Sequence, residues 1–338
     1  MPNLCDTYDV ALLDLDGVVY IGGTAIPGAP QALRKAKRHG MRLAYVTNNA
    51  SRTPAAVAAL LQGMDAPAHP DDVVTSAQAA ARLLADRLPP GSPVLVIGST
   101  ALRLAVRERG LRPVSTAAER PRAVVQGYGP GIGYGNLAEG GIAVRAGALF
   151  VGTNADSTLP GPHGIQPGNG SLLQVIAYAT GTTPLIAGKP EPPLHHESVI
   201  RTGAKNPLVV GDRLNTDIEA ATRTGTDSLL VLTGVSRPGE LVLAPTRQRP
   251  TYVAQTLDAL TQPYPDVTQN DGGFACGGWT ALRETSGQFT LKGSGAAIDG
   301  LRALCAATWD AIDDRDAQLT TEHVAAPLAE LVSAGLRI

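Results

Sequence analysis

Two aspartates, Asp14 and Asp16, stand two residues apart at the end of the apolar run 10–13 in VALLDLDGVVY. Like charges held at the edge of a core repel each other and lose hydration, so the pair needs a positive partner. A second pair of carboxylates comes far down the chain, where PLVVG runs into Asp212 and, five residues later, Asp217. Between these pairs, LAYV leads into Thr47-Asn48-Asn49, and PLIAG leads to Lys189. Each polar group closes an apolar run of strand length. Ligands of open parallel sheets bind beyond the carboxyl ends of the strands, so the four strand ends define one candidate site.

The residue types specify the chemistry. Asp14 and Asp212 offer hard oxygens suited to an octahedral Mg2+, which keeps several waters and bridges to a phosphate oxygen. With Mg2+ and Lys189 offsetting its repulsion of an anionic phosphate, Asp14 can attack phosphorus in line. Thr47 and Asn48, with Asn49 beside them, can bind the equatorial oxygens that carry charge in the transition state. Asp16 points the same way as Asp14 on an extended strand. It can therefore protonate the leaving alkoxide and later deprotonate the water that cleaves the aspartyl-phosphate. Asp217 is expected to hold a metal-bound water or to orient Lys189. Gly17 lets the backbone turn closely beneath the phosphate.

These groups must be positioned by short apolar runs that alternate with helical patterns: VALL, a helix around 30–39, MRLAYV, TPAAVAALLQG, VVTS and QAAARLLADRL. The alternation predicts an α/β fold with a doubly wound parallel sheet, and the lack of polar alternation within the runs predicts strands buried on both faces. From Gly91 to about Gly181 a second α/β unit is inserted, interrupted by GYGPGIGYGNLAEGG and LPGPHGIQPGNG. The sheet begun at residue 10 is expected to resume at PLIAG and PLVVG. After the linker-like TQPYPDVTQNDGG (261–273), a hairpin and two helices make a small α+β module. The resulting division is a first core part at 1–77, an inserted α/β unit at 78–182, a second core part at 183–262 and the C-terminal module at 263–338.

In this order, DLDGVVY, VTNNASRTP, AGKP and VGDRLNTDIEAA resemble the four motifs of the haloacid dehalogenase superfamily. The resemblance extends over residues 8 to about 260 and is closer to the branch of p-nitrophenylphosphatase, phosphoglycolate and glycerol-3-phosphate phosphatases, including GTNADSTLP and PGNGSLLQVI. It implies a Rossmann-like core, an α/β cap inserted between the second and third motifs, Mg2+ dependence and an aspartyl-phosphate intermediate. It also implies that Asp16 joins Asp14 and Asp212 as a metal ligand through its backbone carbonyl. The implied activity is hydrolysis of a small phosphorylated metabolite, glycerol 3-phosphate first and phosphoglycolate second. A phosphotransferase or mutase, and a catalytically silent binding protein, are the alternatives from other classes. Two positions depart from the branch's pattern: Asn215 stands where close relatives often carry Asp, and GYGPGIGYG lacks the usual acidic residue after its first glycine.

Other polar groups have plainer readings. Thr47-Asn48-Asn49 can cap the following helix, and Asn154 and Asp156 either contact substrate from the cap or close an Asx turn. No register of GYGPGIGYG fits G-x-G-x-x-G, and NLAEGG lacks a convincing helix start, so residues 127–141 are expected to form a cap loop, its substrate contact left open. The adjacent His195 and His196 are expected to face different ways at the surface. The C-terminal module faintly resembles part of an acetyltransferase-like fold, without a glycine-rich acetyl-CoA loop. A structural or interaction role is expected for it.

Composition narrows the class. Among 338 residues, 43% are hydrophobic and 17% charged, and the formal net charge of -2 gives no hint of a nucleic-acid or membrane partner. MPNLCDTYDVALLD lacks the basic start and apolar stretch of a signal peptide, and Cys5, Cys276 and Cys305, odd in number and far apart, argue against a disulfide framework or a zinc site. The expectation is a cytoplasmic enzyme of a small phosphorylated metabolite, with assembly into a homo-oligomer open.

Overall fold

The structure, a computed structural model, describes residues 3–161, 164–270, 273–315 and 319–337. Asp271 and Gly272 of the linker-like stretch, and Pro162 and His163 of the second interruption, lie outside the described residues. The chain forms two compact units, Met1–Leu43 with Met64–Pro67 and Lys205–Ile338, and Ala44–Gly63 with Ala68–Ala204. No helix among the described residues is long and apolar enough to cross a membrane.

In the first unit the strand Val10–Leu13 is buried at every position and runs parallel to Pro207–Gly211, with Leu12 opposite Val209. Asp227–Val231 and then Tyr252–Ala254 extend the parallel ladder. Arg42, at the start of the strand Arg42–Thr47, donates its N–H to the Asp9 carbonyl at 2.9 Å. The helix Ala29–Arg38 takes Pro30 into its first turn, buries Ala32, Leu33 and Ala36, and ends in Lys35, Lys37 and Arg38, whose charges suit its C-terminal dipole.

The C-terminal residues add an antiparallel meander of Thr268–Asn270, Gly273–Cys276, Trp279–Arg283 and Phe289–Gly293, followed by the helices Ala297–Arg315 and Thr321–Ser333. Part of the expected linker is thus a strand, because Thr268 and Gln269 find ladder partners in Ala275 and Phe274. Trp279, Phe289, Leu301, Leu304 and Leu331 share one apolar cluster with Leu214, Ile218, Leu230, Leu241, Val242 and Val253 of the preceding α/β segment. Polar ties follow the same seam. Thr308 Oγ1 donates to the Val242 carbonyl at 2.7 Å, Trp309 Nε1 to Leu241 at 3.1 Å, and the buried Arg302 to Val253 at 2.9 Å.

In the second unit, Tyr45–Val46–Thr47 pairs in parallel with Val73–Thr75. A five-stranded parallel sheet follows the order Leu185–Ile186, Leu149–Gly152, Ala123–Gln126, Pro93–Ile97, Arg112–Val114. PLIAG therefore ends this sheet and does not resume the one begun at residue 10; Leu185 and Ile186 pair with Val151 and Gly152. The glycine-rich stretch also differs from expectation, since Tyr134–Arg145 is a helix. Gly140 explains it: a Cβ there would press into the side chains of Ile97 and Ile176, so the missing side chain permits close packing of a helix.

The helices Ser76–Ala85, Thr100–Glu108 and Pro192–Thr202 are tied by one acid. Glu197 is fully buried and pairs with Arg82, Arg201 and, at 2.6 Å, Arg109.

Candidate active site

The predicted residues come together as two sets, one in each unit. In the first unit, the ladder continues past the strand Val10–Leu13 because Asp14 donates its N–H to Val210 at 2.8 Å. Asp212 directly follows Pro207–Gly211, and Asp217 lies on the single wide turn Leu214–Ile218. Carboxylate oxygens of Asp14, Asp212 and Asp217 lie within 4.8 Å of one another, with Asp212 and Asp217 almost wholly buried. Asp217 thus stands in one carboxylate group with Asp14 and Asp212.

Local backbone fixes this group. Asp212 Oδ2 accepts the Val235 N–H at 2.6 Å and its carbonyl accepts the Ser236 N–H at 3.0 Å. Ser236 Oγ in turn accepts the Leu214 N–H at 3.1 Å, and Asp217 Oδ2 accepts the Arg213 N–H at 3.2 Å. The sequence does not signal Val235 and Ser236, because Val235 acts through its backbone N–H and a lone serine hydroxyl in the TGVS turn marks no chemistry by itself. Gly17 has a left-handed φ of 87°, and a Cβ there, or at Gly234, would occupy the place of the Asp212 carboxylate. Three hard carboxylates meeting in so closely fitted a cradle suit a hard divalent cation such as Mg2+.

Asp16 is exposed, and its backbone bridges to Tyr20. Loss of surrounding water holds its carboxyl above the ordinary range, against the Gly22 amide and the Arg213 charge, which act the other way. A raised pKa suits a group that must deliver a proton.

In the second unit, Thr47 ends its strand and its Oγ1 accepts the Asn49 N–H at 3.1 Å, which leaves the hydroxyl proton to donate. Asn49 Oδ1 accepts from the Ser51 N–H and hydroxyl at 2.7 and 2.8 Å, a local turn. Asn48 clamps the backbone of Lys189: its Oδ1 accepts the Lys189 N–H at 2.8 Å and its Nδ2 donates to the Lys189 carbonyl at 3.2 Å. The Lys189 ammonium is buried and donates to the Val46 carbonyl at 3.3 Å. Asn154 Nδ2 donates to the Asn48 carbonyl at 2.8 Å, while its Oδ1 accepts the Asp156 N–H at 3.2 Å, the Asx turn. Asp156 Oδ2 accepts from Asn48 Nδ2 at 3.4 Å. Asn154 and Asp156 therefore support the Asn48–Lys189 clamp.

His195 corrects the surface expectation. It is only 8% exposed, and burial, then the charge of His196, push its pKa down to about 4. The helix Pro192–Thr202 turns this histidine inward.

Residues 11–112 match the family described as haloacid dehalogenase-like hydrolase, 186–260 a HAD-hydrolase-like family and 276–332 a GCN5-related N-acetyltransferase like domain. The chain belongs to the haloacid dehalogenase-like hydrolases. Within them it is 47% identical over 262 residues to the D-glycerol 3-phosphate phosphatase of Mycobacterium tuberculosis, covering 78% of this chain and 73% of that relative. It is also 38% identical over 263 residues to the 5'-nucleotidase YutF of Bacillus subtilis, covering 77% and 99%. The crystal structure of the M. tuberculosis glycerol phosphate phosphatase in complex with magnesium matches with a TM-score of 0.87 at 40% identity, over 98% of this chain and 99% of that one. That match includes the C-terminal module. A 4-nitrophenylphosphatase from Thermotoga maritima matches with a TM-score of 0.70 at 30% identity, over 77% of this chain and 98% of that one.

Proposed function

We propose that the chain is a Mg2+-dependent phosphomonoesterase that hydrolyses a small phosphorylated metabolite, with glycerol 3-phosphate as its substrate, through an aspartyl-phosphate on Asp14. The observation that carries this reading is the convergence of Asp14, Asp212 and Asp217 at the ends of two adjacent parallel strands. Its 47% identity to a D-glycerol 3-phosphate phosphatase supports the substrate. Asp14, Asp212 and Asp217, with the backbone carbonyl of Asp16, would hold Mg2+, which when bound offsets the repulsion between Asp14 and an anionic phosphate.

The chain's own groups do the rest. An oxygen of Asp14 attacks phosphorus in line, and the leaving alkoxide takes the Asp16 proton. Asp16, now ionised, takes a proton from water as that water attacks the aspartyl-phosphate, which frees Asp14 and inorganic phosphate. To Thr47, Asn48, Asn49 and Lys189 we assign the phosphate oxygens, with the Thr47 hydroxyl and Lys189 ammonium as donors and the Asn48 amide placing Lys189. The free cysteines Cys5, Cys276 and Cys305 support a reducing, cytoplasmic setting.

Steady-state hydrolysis of glycerol 3-phosphate, phosphoglycolate, sugar phosphates and nucleoside monophosphates, with Mg2+ and with chelator, tests the reading. The expected result is Mg2+-dependent release of phosphate with the highest kcat/KM on glycerol 3-phosphate. A higher value on another phosphate removes the substrate assignment and leaves the class. Asp14→Asn should abolish turnover in a folded protein, because an amide is a poor nucleophile and a weaker metal ligand. Normal hydrolysis by that variant would sink the mechanism, and transfer of the phosphoryl group to an added alcohol in place of water would make the protein a phosphotransferase.

A further inference from the structure

Apart from the carboxylates of the candidate active site, one other group of three metal-ligating side chains converges among the described residues. Cys5 and Asp6 lie on the short helix Leu4–Thr7, and His39 caps the end of the helix Ala29–Arg38. One ligand atom from each lies within 4.8 Å of the others, and all three residues belong to the first unit. A thiol sulfur, an imidazole nitrogen and a carboxylate oxygen form a mixed donor set. Mg2+ and Ca2+ take oxygen ligands, whereas Zn2+ takes sulfur, nitrogen and oxygen together. We propose that Cys5, Asp6 and His39 form a second metal site, selective for Zn2+ over Mg2+.

The atoms are disposed for it. Asp6 Oδ2 accepts the Asn3 N–H at 3.2 Å, while Oδ1 faces Cys5 Sγ at 4.0 Å. The sulfhydryl proton points along that line, and an ion that replaces it bonds to both atoms, releasing the proton to solvent with no change of oxidation state. The Cys5 side is buried and Asp6 and His39 are exposed. The ion therefore approaches from water and keeps a water as fourth ligand, the three-ligand form of a zinc centre. Bonds of about 2.0–2.3 Å make the edge of a zinc tetrahedron about 3.5 Å, so binding draws Cys5 Sγ and Asp6 Oδ1, now 4.0 Å apart, slightly closer. Because the donors come from two separate helices, the ion staples the N-terminal segment to Ala29–Arg38. Cys276 and Cys305 are buried and join no such group among the described residues.

The site is independent of the phosphatase reading and is tested without turnover. The full-length protein, saturated with Mg2+, is titrated with Co2+ as a spectroscopic stand-in for Zn2+. The expected result is one bound equivalent with a near-ultraviolet thiolate-to-cobalt charge-transfer band that Zn2+ removes. Cys5→Ser should abolish the band. Loss of an outer-shell partner alone weakens metal sites by about tenfold or more, so His39→Ala, at an exposed position that spares the fold, should weaken binding by more than about tenfold. Absence of the band in the unmodified protein, its survival in Cys5→Ser, or unchanged Co2+ affinity in His39→Ala would each overturn the site.

Discussion

His195→Gln should flatten the acid side of the stability profile. The imidazole is 8% exposed, and its pKa falls from 6.5 to about 4 because burial, and then the charge of His196, disfavour the cation. As pH drops, the unfolded chain takes the proton first. The contribution of the neutral ring is therefore complete above about pH 6.5 and is lost as pH falls toward 4. At about 1.4 kcal/mol per unit, the whole window amounts to about 3 kcal/mol, of which about 2 kcal/mol is gone at about pH 5. Glutamine keeps a polar side chain and cannot titrate, so any constant cost of the substitution appears equally at both pH values. Urea unfolding of both proteins at about pH 7.5 and about pH 5 is the assay. Between the two, the parent should lose about 2 kcal/mol more than the variant. Parallel losses would refute the assignment of a buried neutral histidine.

Glu197→Gln removes the one anion that three guanidiniums share, and should cost about 3 kcal/mol, near the lower end for broken buried pairs because the arginines are partly exposed. A thermal midpoint within a degree or so of the parent would contradict it. Gly17→Ala places a Cβ where the Asp212 carboxylate sits and strains a left-handed backbone, so apparent Mg2+ affinity and turnover should fall together by about tenfold or more. Parental Mg2+ activation curves would count against that account. Truncation after Pro265 should yield insoluble or poorly folded protein, because it uncovers Leu214, Ile218, Leu230, Leu241 and Val253; a soluble truncation with an unshifted midpoint would show that the shared cluster is dispensable.

The parallel strands and the carboxylates at their ends were legible because each rests on local pattern. Val10–Leu13 and Pro207–Gly211 are unbroken apolar runs, and Asp14 and Asp212 follow them directly. Tyr134–Arg145 was not legible, because glycines that weaken a helix locally also let it approach Ile97 and Ile176, and only tertiary packing decides between the two. Leu185–Ile186 looks the same in either sheet, since a short apolar run does not name its partner. His195 was misplaced for a related reason: adjacent histidines must point apart on a helix, but the sequence does not say which one faces in. The Asn48 clamp on Lys189 joins residues 141 apart, beyond any spacing rule.

The apolar seam joining Trp279, Phe289 and Leu304 to Leu230, Leu241 and Val253 has a consequence for the broken chain. A single protease cut beside Asp266 would sever the covalent connection without removing the cluster or the Thr308, Trp309 and Arg302 bonds to backbone carbonyls across it. The two fragments would then behave as a noncovalent heterodimer, co-eluting in native buffer and parting only in denaturant. Expressed from separate genes, the same two pieces would have to find each other before either was fully folded, so their union in one chain makes intramolecular what would otherwise be a concentration-dependent assembly.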